Sequence, residues 1–488
     1  MNVNAVEYPS VRWARELPNH PAVVFNGNPV TYFDLAARIE RCAAWLQAKS
    51  VSLGHRVIVS SANSLEWVVV IHALARLGAV HVPIGARILK SQADEYRRLY
   101  SPVLVLTDRS TASLWSEPTL LEELAIETDS TLHGDLASEI DRESLHSIVQ
   151  TSGSEGEPKG ACLSFRNHLS SALASALNLG VRPDDRWLLN MPMDRIGGLA
   201  IVMRAAIYGT TVVIHDRFDA DQVWRSIDND GVSQLSCVAS TLRRILDAAP
   251  ERQCPDHVRT LMVGGGPVPE SLMDEARGRG FPVLPTYGLT ETSSQIATLS
   301  PASPDSKRYT AGVALPLVDI EIRDESGSNV PSGTIGRIHV RGPMVSSGYW
   351  IKVGRIEMSL DSDGWLATND IGSIDDDGFL TVHGRVDNVI ISGGIKTHAE
   401  EIENVLTSRH DVAHAVVIAI EDSEWGQSPM AIVELETGCD RDEAELRKYL
   451  AEHLPKHKMP RRFEFVDAIP MLPSGKADRQ LLRSRYRT

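Results

Sequence analysis

Phosphate-handling chemistry needs bare backbone amides, hydroxyl donors and a cation, and the stretch TSGSEGEPKG at residues 151–160 supplies all three. Its glycines are Gly153, Gly156 and Gly160, its hydroxyls Thr151, Ser152 and Ser154, and its cation Lys159. Glu155 and Glu157 oppose that reading, and a plain surface turn has the same composition. The stretch is not a Walker A loop, because Pro158 precedes the lysine and Gly160 follows it. Two further stretches carry chemistry. Gly264-Gly265-Gly266-Pro267 follows an apolar run and would let a flat ring approach the backbone. In PTYGLTETSSQ, residues 285–295, Tyr287 offers a stacking face, and Glu291 between Thr290 and Thr292 offers a hard oxygen ligand for Mg²⁺. Taken singly, each is equally a turn leading into a capped helix.

These residues must be held by something, and the flanking pattern says what. Apolar side chains recur at helical spacing over residues 32–48, with Thr31 placed as the cap. Short β-branched runs at 56–60, 103–107, 147–150, 211–215 and 260–264 alternate with helical stretches, the signature of parallel sheets covered by helices. The glycine triplet and the TET stretch then lie at the carboxyl ends of strands, where such sheets bind ligands. From about Ser303 the runs 318–323 and 335–341 alternate apolar with polar, predicting a small antiparallel sheet or barrel. The last hundred residues predict a helix at 399–408, a strand at 415–420, a helix at 443–454 and a terminal loop, forming a separate α+β lobe.

At 488 residues the chain exceeds one core, and a net charge of -15 with scattered basic residues argues against nucleic acid. The most apolar region, 67–80, is broken by His72 and Arg76, so it reads as core and not as a membrane span. No basic segment precedes an apolar one at the N-terminus, and the expectation is a cytoplasmic protein. Five cysteines lack metal or redox spacing and are expected to be buried free thiols. His453 and His457 have helical ligand spacing, but Pro455 stands between them.

In order and spacing, TSGSEGEPKG, VGGGP, YGLTETSSQ, GWLATNDIG, HGRVDNVIISGG, EEIE and LPSGKADRQLL resemble the adenylate-forming superfamily of acyl-CoA synthetases, adenylation domains and firefly luciferase, from about residue 20 to the end. Residues 175–180, 203–209, 264–267 and 290–295 resemble its 2-succinylbenzoate–CoA ligase branch. The resemblance implies an α/β fold: a large N-terminal AMP-binding domain (1–384) with parallel sheets and a small β-barrel, a hinge (385–387) at Asp387, and a mobile α+β domain (388–488). It implies ATP, Mg²⁺ and coenzyme A, with an aryl or cyclic acid converted to an acyl-adenylate and then a thioester; it admits a homodimer. Thr151, Ser152, Gly153, Ser154 and Lys159 would grip the β- and γ-phosphates, Thr290 the α-phosphate, and Glu291 the metal. Gly264, Gly265, Gly266, Tyr287 and Gly288 would hold adenine, and Asp370 with Arg385 the ribose. Lys476 would neutralise charge growing on the α-phosphate and attacking oxygen. Arg195, Gly197, Ser293 and Gln295 would meet the acyl group, and Gly393 and Gly394 would line the coenzyme A tunnel.

The chain departs from the superfamily in four places. Threonine is usual where Glu155 stands, and a carboxylate about 4 Å from a phosphate charge costs about 4 kcal/mol at an effective dielectric near 20. Asp194-Arg195 replaces an aromatic followed by histidine; Arg195 then pairs either with a second substrate carboxylate or with Asp194. Asn369 replaces a glycine, and residues 395–398, IKTH, replace Glu-Asn-Ile-Tyr beside the tunnel. Three readings stand at this level: an acid–CoA ligase, a ligase passing the acyl group to an amine or carrier-protein thiol, and a relative that binds without turnover.

Overall fold

A computed structural model describes residues 4–124, 136–151, 159–392, 395–422, 425–436, 438–439, 441–471 and 477–486, with backbone alone at 395, 396 and 457. Two large sheets dominate. One runs, in spatial order, Arg355–Met358, Gly348–Lys352, Lys159–Ser164, Leu145–Thr151, Val80–Gly85, Arg56–Ser61, Leu104–Thr107 and Thr119–Leu120. Its strands from Leu145–Thr151 onward are parallel, and the others join as antiparallel ribbons. The second is parallel from Val283–Leu289 through Thr260–Val263, Gln234–Cys237, Arg186–Leu189 and Thr211–Ile214 to Pro21–Phe25, with antiparallel strands at both edges. The mixed edges are where the β-branched runs alone gave no sign of direction.

The helices begin where side chains can satisfy their orphan amides. Thr31 accepts from the amide of Asp34 ahead of helix Tyr32–Ala48, and Ser64 does the same for Trp67 ahead of Leu65–Leu77. Helix Leu65–Leu77 stops at Gly78, whose φ of +64° a side chain would disfavour. It is apolar almost all round because helix Tyr32–Ala48 and the sheet cover it; Trp67, Val70, Ile71 and Leu74 are buried.

Strands Asp319–Arg323, Gly336–Arg341, Leu366–Ile374 and Leu380–Arg385 form a four-stranded antiparallel sheet, the alternating region anticipated after Ser303. Beyond it a five-stranded sheet combines Val389–Ser392, Ile395–His398, Val412–Asp422, Gly426–Leu435 and Arg462–Val466, covered by helices Ala399–Thr407 and Glu443–His453. The terminal segment holds one surprise: Arg479–Tyr486 is a helix, anchored by the fully buried Leu482, where a loop was expected. Its polar, arginine-rich sequence hides a single apolar anchor that periodicity cannot detect.

Cys42, Cys162, Cys237 and Cys254 are buried free thiols as expected, but Cys439 is exposed, because it falls in a turn after the Gly426–Leu435 strand. Among the described residues no helix is long and apolar enough to cross a membrane, and no three or more His, Cys, Asp or Glu side chains gather as a metal-binding cluster.

Candidate active site

Asn63, just beyond the Arg56–Ser61 strand, ties the carboxyl ends of the two large sheets together. Its Nδ2 donates to the carbonyls of Met191 (2.9 Å) and His215 (3.1 Å), and its Oδ1 accepts from the amide of Met193 (2.9 Å). The ends of strands from both sheets therefore face one region.

Strands Thr260–Val263 and Val283–Leu289 are parallel neighbours, with Val263 opposite Pro285. The glycine triplet thus emerges beside Thr286: a Cβ on Gly264 would stand 2.5 Å from the Thr286 carbonyl oxygen. Gly288 is equally constrained, since a Cβ there would lie 1.8 Å from the carbonyl oxygen of Ser294. Only glycine allows these approaches. The chain then makes a 3₁₀ turn, Thr290–Thr292, and passes through Ser293 and Ser294 at φ of +53° and +108°. Such conformations cost roughly 1–3 kcal/mol each in non-glycine residues and persist where neighbours enforce them. Here Ser293 Oγ donates to Met344 O (3.1 Å), Ser171 Oγ donates to Ser293 O (2.9 Å), and Thr292 Oγ1 donates to Ser294 O (2.9 Å).

Glu291 is placed by two contacts that the sequence did not announce. The amide of Ser346 donates to its carbonyl oxygen (2.6 Å), and the Tyr349 hydroxyl donates to its Oε1 (2.7 Å). Burial and the adjacent Glu291 carboxylate raise the Tyr349 phenol above its ordinary pKa, so it remains a donor. Strand register brings Tyr349 opposite Ala161, and Lys159 Nζ sits 4.2 Å from the Tyr349 ring centroid. The lysine of the first stretch and the carboxylate of the third are therefore joined through one tyrosine. The only hint lay in SSGYW at 346–350, which has no distinctive residue type.

Tyr287 is 9 % exposed and donates its hydroxyl to Asp370 Oδ2 (2.8 Å). Burial first, then the Asp370 carboxylate, raise its phenol, so this donor too keeps its proton. Arg385 stands opposite Asp370 in the antiparallel register of Leu366–Ile374 and Leu380–Arg385, and its guanidinium pairs with Asp387 at 3.1 Å. Asn369 Oδ1 accepts from Arg337 (3.1 Å) and so ties strand Leu366–Ile374 to its other neighbour, Gly336–Arg341.

On the acyl side, Arg195 Nε lies 3.4 Å from Asp194 Oδ2. Burial raises the Asp194 carboxyl, with Arg195 opposing, and a Cβ on Gly85 would fall 2.6 Å from the same oxygen. A Cβ on Gly197 would meet the Met191 methyl at 2.6 Å, so its bareness serves local packing. Helix Ile196–Tyr208 carries Arg204, 2 % exposed, over the Trp187 ring at 5.2 Å. The donors and acceptors around Gln295 assign its amide oxygen to this guanidinium (3.1 and 3.2 Å) and its nitrogen to Thr298 Oγ1 (2.9 Å). Arg204 Nε has no hydrogen-bond partner and, among the described residues, the guanidinium has no carboxylate partner. Burial lowers its pKa from the usual guanidinium value. A buried cation without a carboxylate partner is costly, yet in the sequence residues 203–209 stood out only as a branch resemblance, which assigned Arg204 no role.

Ser152, Gly153, Ser154, Glu155, Glu157, Gly393, Gly394 and Lys476 lie outside the described residues. Thr151, by contrast, ends its strand opposite Lys159, so both ends of the first stretch enter from one antiparallel pair.

Residues 11–350 match the family described as AMP-binding enzyme, and residues 401–476 match the AMP-binding enzyme C-terminal domain. The chain is 36 % identical over 477 residues to a 2-succinylbenzoate–CoA ligase of Bacillus licheniformis, covering 95 % of this chain and 97 % of the relative. The o-succinylbenzoate CoA synthetase of Bacillus subtilis is similar in three solved forms, each 33 % identical. Its complex with the acyl-adenylate OSB-AMP has a TM-score of 0.92, covering 99 % of both chains. Its complex with ATP and a magnesium ion has a TM-score of 0.89, covering 98 % of this chain and all of that one, 100 %. A double mutant bound to the product analogue OSB-NCoA scores 0.73, again covering 99 % of both. The chain belongs to the AMP-binding enzyme family.

Proposed function

We infer that this protein is an ATP-dependent 2-succinylbenzoate–CoA ligase, acting in the cytoplasm. The observation that supports the reading is that Lys159, Tyr349 and Glu291 are joined by contacts just beyond the strand whose Tyr287 is bonded to Asp370, which we read as a phosphate end and a nucleoside end of one site. Five thiols outside any disulfide accord with a reducing compartment.

Glu291 and Lys159 would divide the triphosphate between a carboxylate and an ammonium. One hard carboxylate oxygen beside phosphate oxygens suits Mg²⁺, which supplies charge neutralisation for the departing pyrophosphate. Tyr349 holds Glu291 in register, and Tyr287 holds Asp370 toward the ribose hydroxyls, with Arg385 beside it. Thr290 would reach the α-phosphate. Lys476 would bring a mobile positive charge to the attacking oxygen, so that adenylate formation depends on it more than thioester formation does.

2-Succinylbenzoate carries two carboxylates. One is activated, and the other needs a cation. Arg195 is already paired with Asp194, so the second carboxylate would fall to Arg204, a buried guanidinium that faces the Gln295 amide and meets no carboxylate among the described residues. Residues 385–387 would act as the hinge about which the C-terminal lobe turns between half-reactions. The higher similarity to the acyl-adenylate form of the Bacillus subtilis enzyme (TM-score 0.92) than to its product-analogue form (0.73) supports a reading in which the lobe changes place between the half-reactions.

The test is direct. Purified protein with ATP, Mg²⁺ and 2-succinylbenzoate exchanges labelled pyrophosphate into ATP, and coenzyme A converts the adenylate to the thioester. Failure of exchange with every aromatic acid offered overturns the reading; an adenylate that survives coenzyme A but is consumed by an amine overturns the acceptor.

A further inference from the structure

Glu400 lies at the junction where the C-terminal lobe meets the strand that runs into residues 385–387. It is 5 % exposed, in the first turn of helix Ala399–Thr407. Its Oε1 accepts from Asn388 Nδ2 at 2.6 Å, and its Oε2 is buried with no hydrogen-bond partner among the described residues. That unpartnered oxygen stands 2.3 Å from where a Cβ on Gly384 would be, and Gly384 has φ of +145°. The carboxylate is therefore pressed against bare backbone.

The groups around it supply little compensation. On its own helix, Glu403 repels it, and Arg479 from helix Arg479–Tyr486 spends its guanidinium on Glu403 at 2.6 Å, standing 4.0 Å from Glu400. Arg483 donates to Asp387 O (2.9 Å) and Asn388 Oδ1 (2.8 Å), Arg385 pairs with Asp387, and Lys458 pairs with Glu401. His383, on the strand beneath, hydrogen-bonds with Ser373 (2.9 Å). Burial, then Glu403, raise the Glu400 carboxyl above its ordinary pKa.

The partition of these contacts about the hinge matters. Asn388, Arg479 and Glu403 travel with Glu400, whereas Gly384 stays with the preceding sheet. Rotation about residues 385–387 keeps the Asn388 bond and opens the Gly384 contact, letting water reach Oε2. Resting on the hinge reading above, we propose that Glu400 is a positioning residue whose half-satisfied buried carboxylate works against the docked lobe and so sets the balance between the two half-reactions. The charge acts as a spring: docking desolvates it and undocking releases it.

The test uses the full chain with two variants, Glu400→Gln and Asp387→Pro, and dyes on the exposed Cys439 and on an introduced Leu53→Cys. Energy transfer reports the lobe position without substrate. Wild-type protein shows docked and undocked populations, and its docked fraction grows as pH falls toward the carboxylate range. Glu400→Gln shifts the ratio toward docked by about tenfold, the scale of one orphaned buried oxygen, and removes that pH response. The same variant slows thioester formation from supplied adenylate relative to pyrophosphate exchange by a similar factor. Two populations with an unchanged ratio in Glu400→Gln overturn the role of Glu400 alone. One population in wild type, together with both half-reactions surviving in Asp387→Pro, overturns the hinge and this proposal with it.

Discussion

Tyr287 and Asp370, 83 residues apart in the chain, share a buried 2.8 Å hydrogen bond. It fastens the strand that leads into the TET turn to strand Leu366–Ile374. Asp370 also has local support, its amide donating to Thr368 Oγ1 (3.2 Å), but the Tyr287 bond is the long-range one.

Removing that hydroxyl has a defined outcome. In Tyr287→Phe the ring still fills its place, but Asp370 loses a donor, worth roughly 1–2 kcal/mol. The KM for ATP rises about tenfold while kcat stays within about threefold, as read by pyrophosphate exchange over a range of ATP. An unchanged KM would show that Asp370 needs no help to hold its orientation.

Tyr349→Phe isolates the other pairing. The ring remains for Lys159, and only the donor to Glu291 is lost. Half-saturation by Mg²⁺ shifts upward about tenfold, the scale of losing a group that orients a metal-ligating carboxylate. Titrating Mg²⁺ at saturating ATP measures it; equal curves for the two proteins would remove Tyr349 from the account.

Arg204 and Arg195 can be told apart by substrate choice. With 2-succinylbenzoate, Arg204→Met lowers kcat/KM about a hundredfold, from roughly 3 kcal/mol for a lost charge-assisted contact. With the analogue lacking the ring carboxylate, the same variant changes kcat/KM little. Arg195→Met has a small effect on both, because Asp194 already answers its charge. The reverse pattern would return the second carboxylate to Arg195.

Acid lability follows from four buried histidines. His72, His81, His146 and His168 all lie in the interior, where burial lowers their pKa, His72 to about 4 and His168 to about 3. Their folded pKa values lie below the unfolded value near 6.5, so the unfolded chain binds protons first as pH falls. Stability is therefore full above pH 6.5 and declines from there to about pH 4 for His72 and about pH 3 for His168, by about 1.4 kcal/mol per pH unit for each titrating histidine. Thermal melts at pH 7.5, 6 and 5 read the decline. A His72→Phe His168→Leu variant flattens it if the variant folds, and the wild-type slope between pH 6.5 and 5 tests it regardless.

Much of the architecture was legible before any coordinates. The Thr31 cap, the apolar stripe over 32–48, the β-branched runs and the change to alternation after Ser303 are local signals, and local signals are written in local sequence. The ordered motifs, through the family resemblance they carry, likewise pointed to Lys159, Glu291, Tyr287 and Asp370. What sequence could not supply was adjacency. That Tyr349 bridges Lys159 and Glu291, that Arg204 sits buried against Gln295, and that Glu400 presses on Gly384 depend on strand register and on how helices cover sheets. These pairings join residues tens to hundreds of positions apart, and their energies come from burial, which a linear chain does not possess until it has folded.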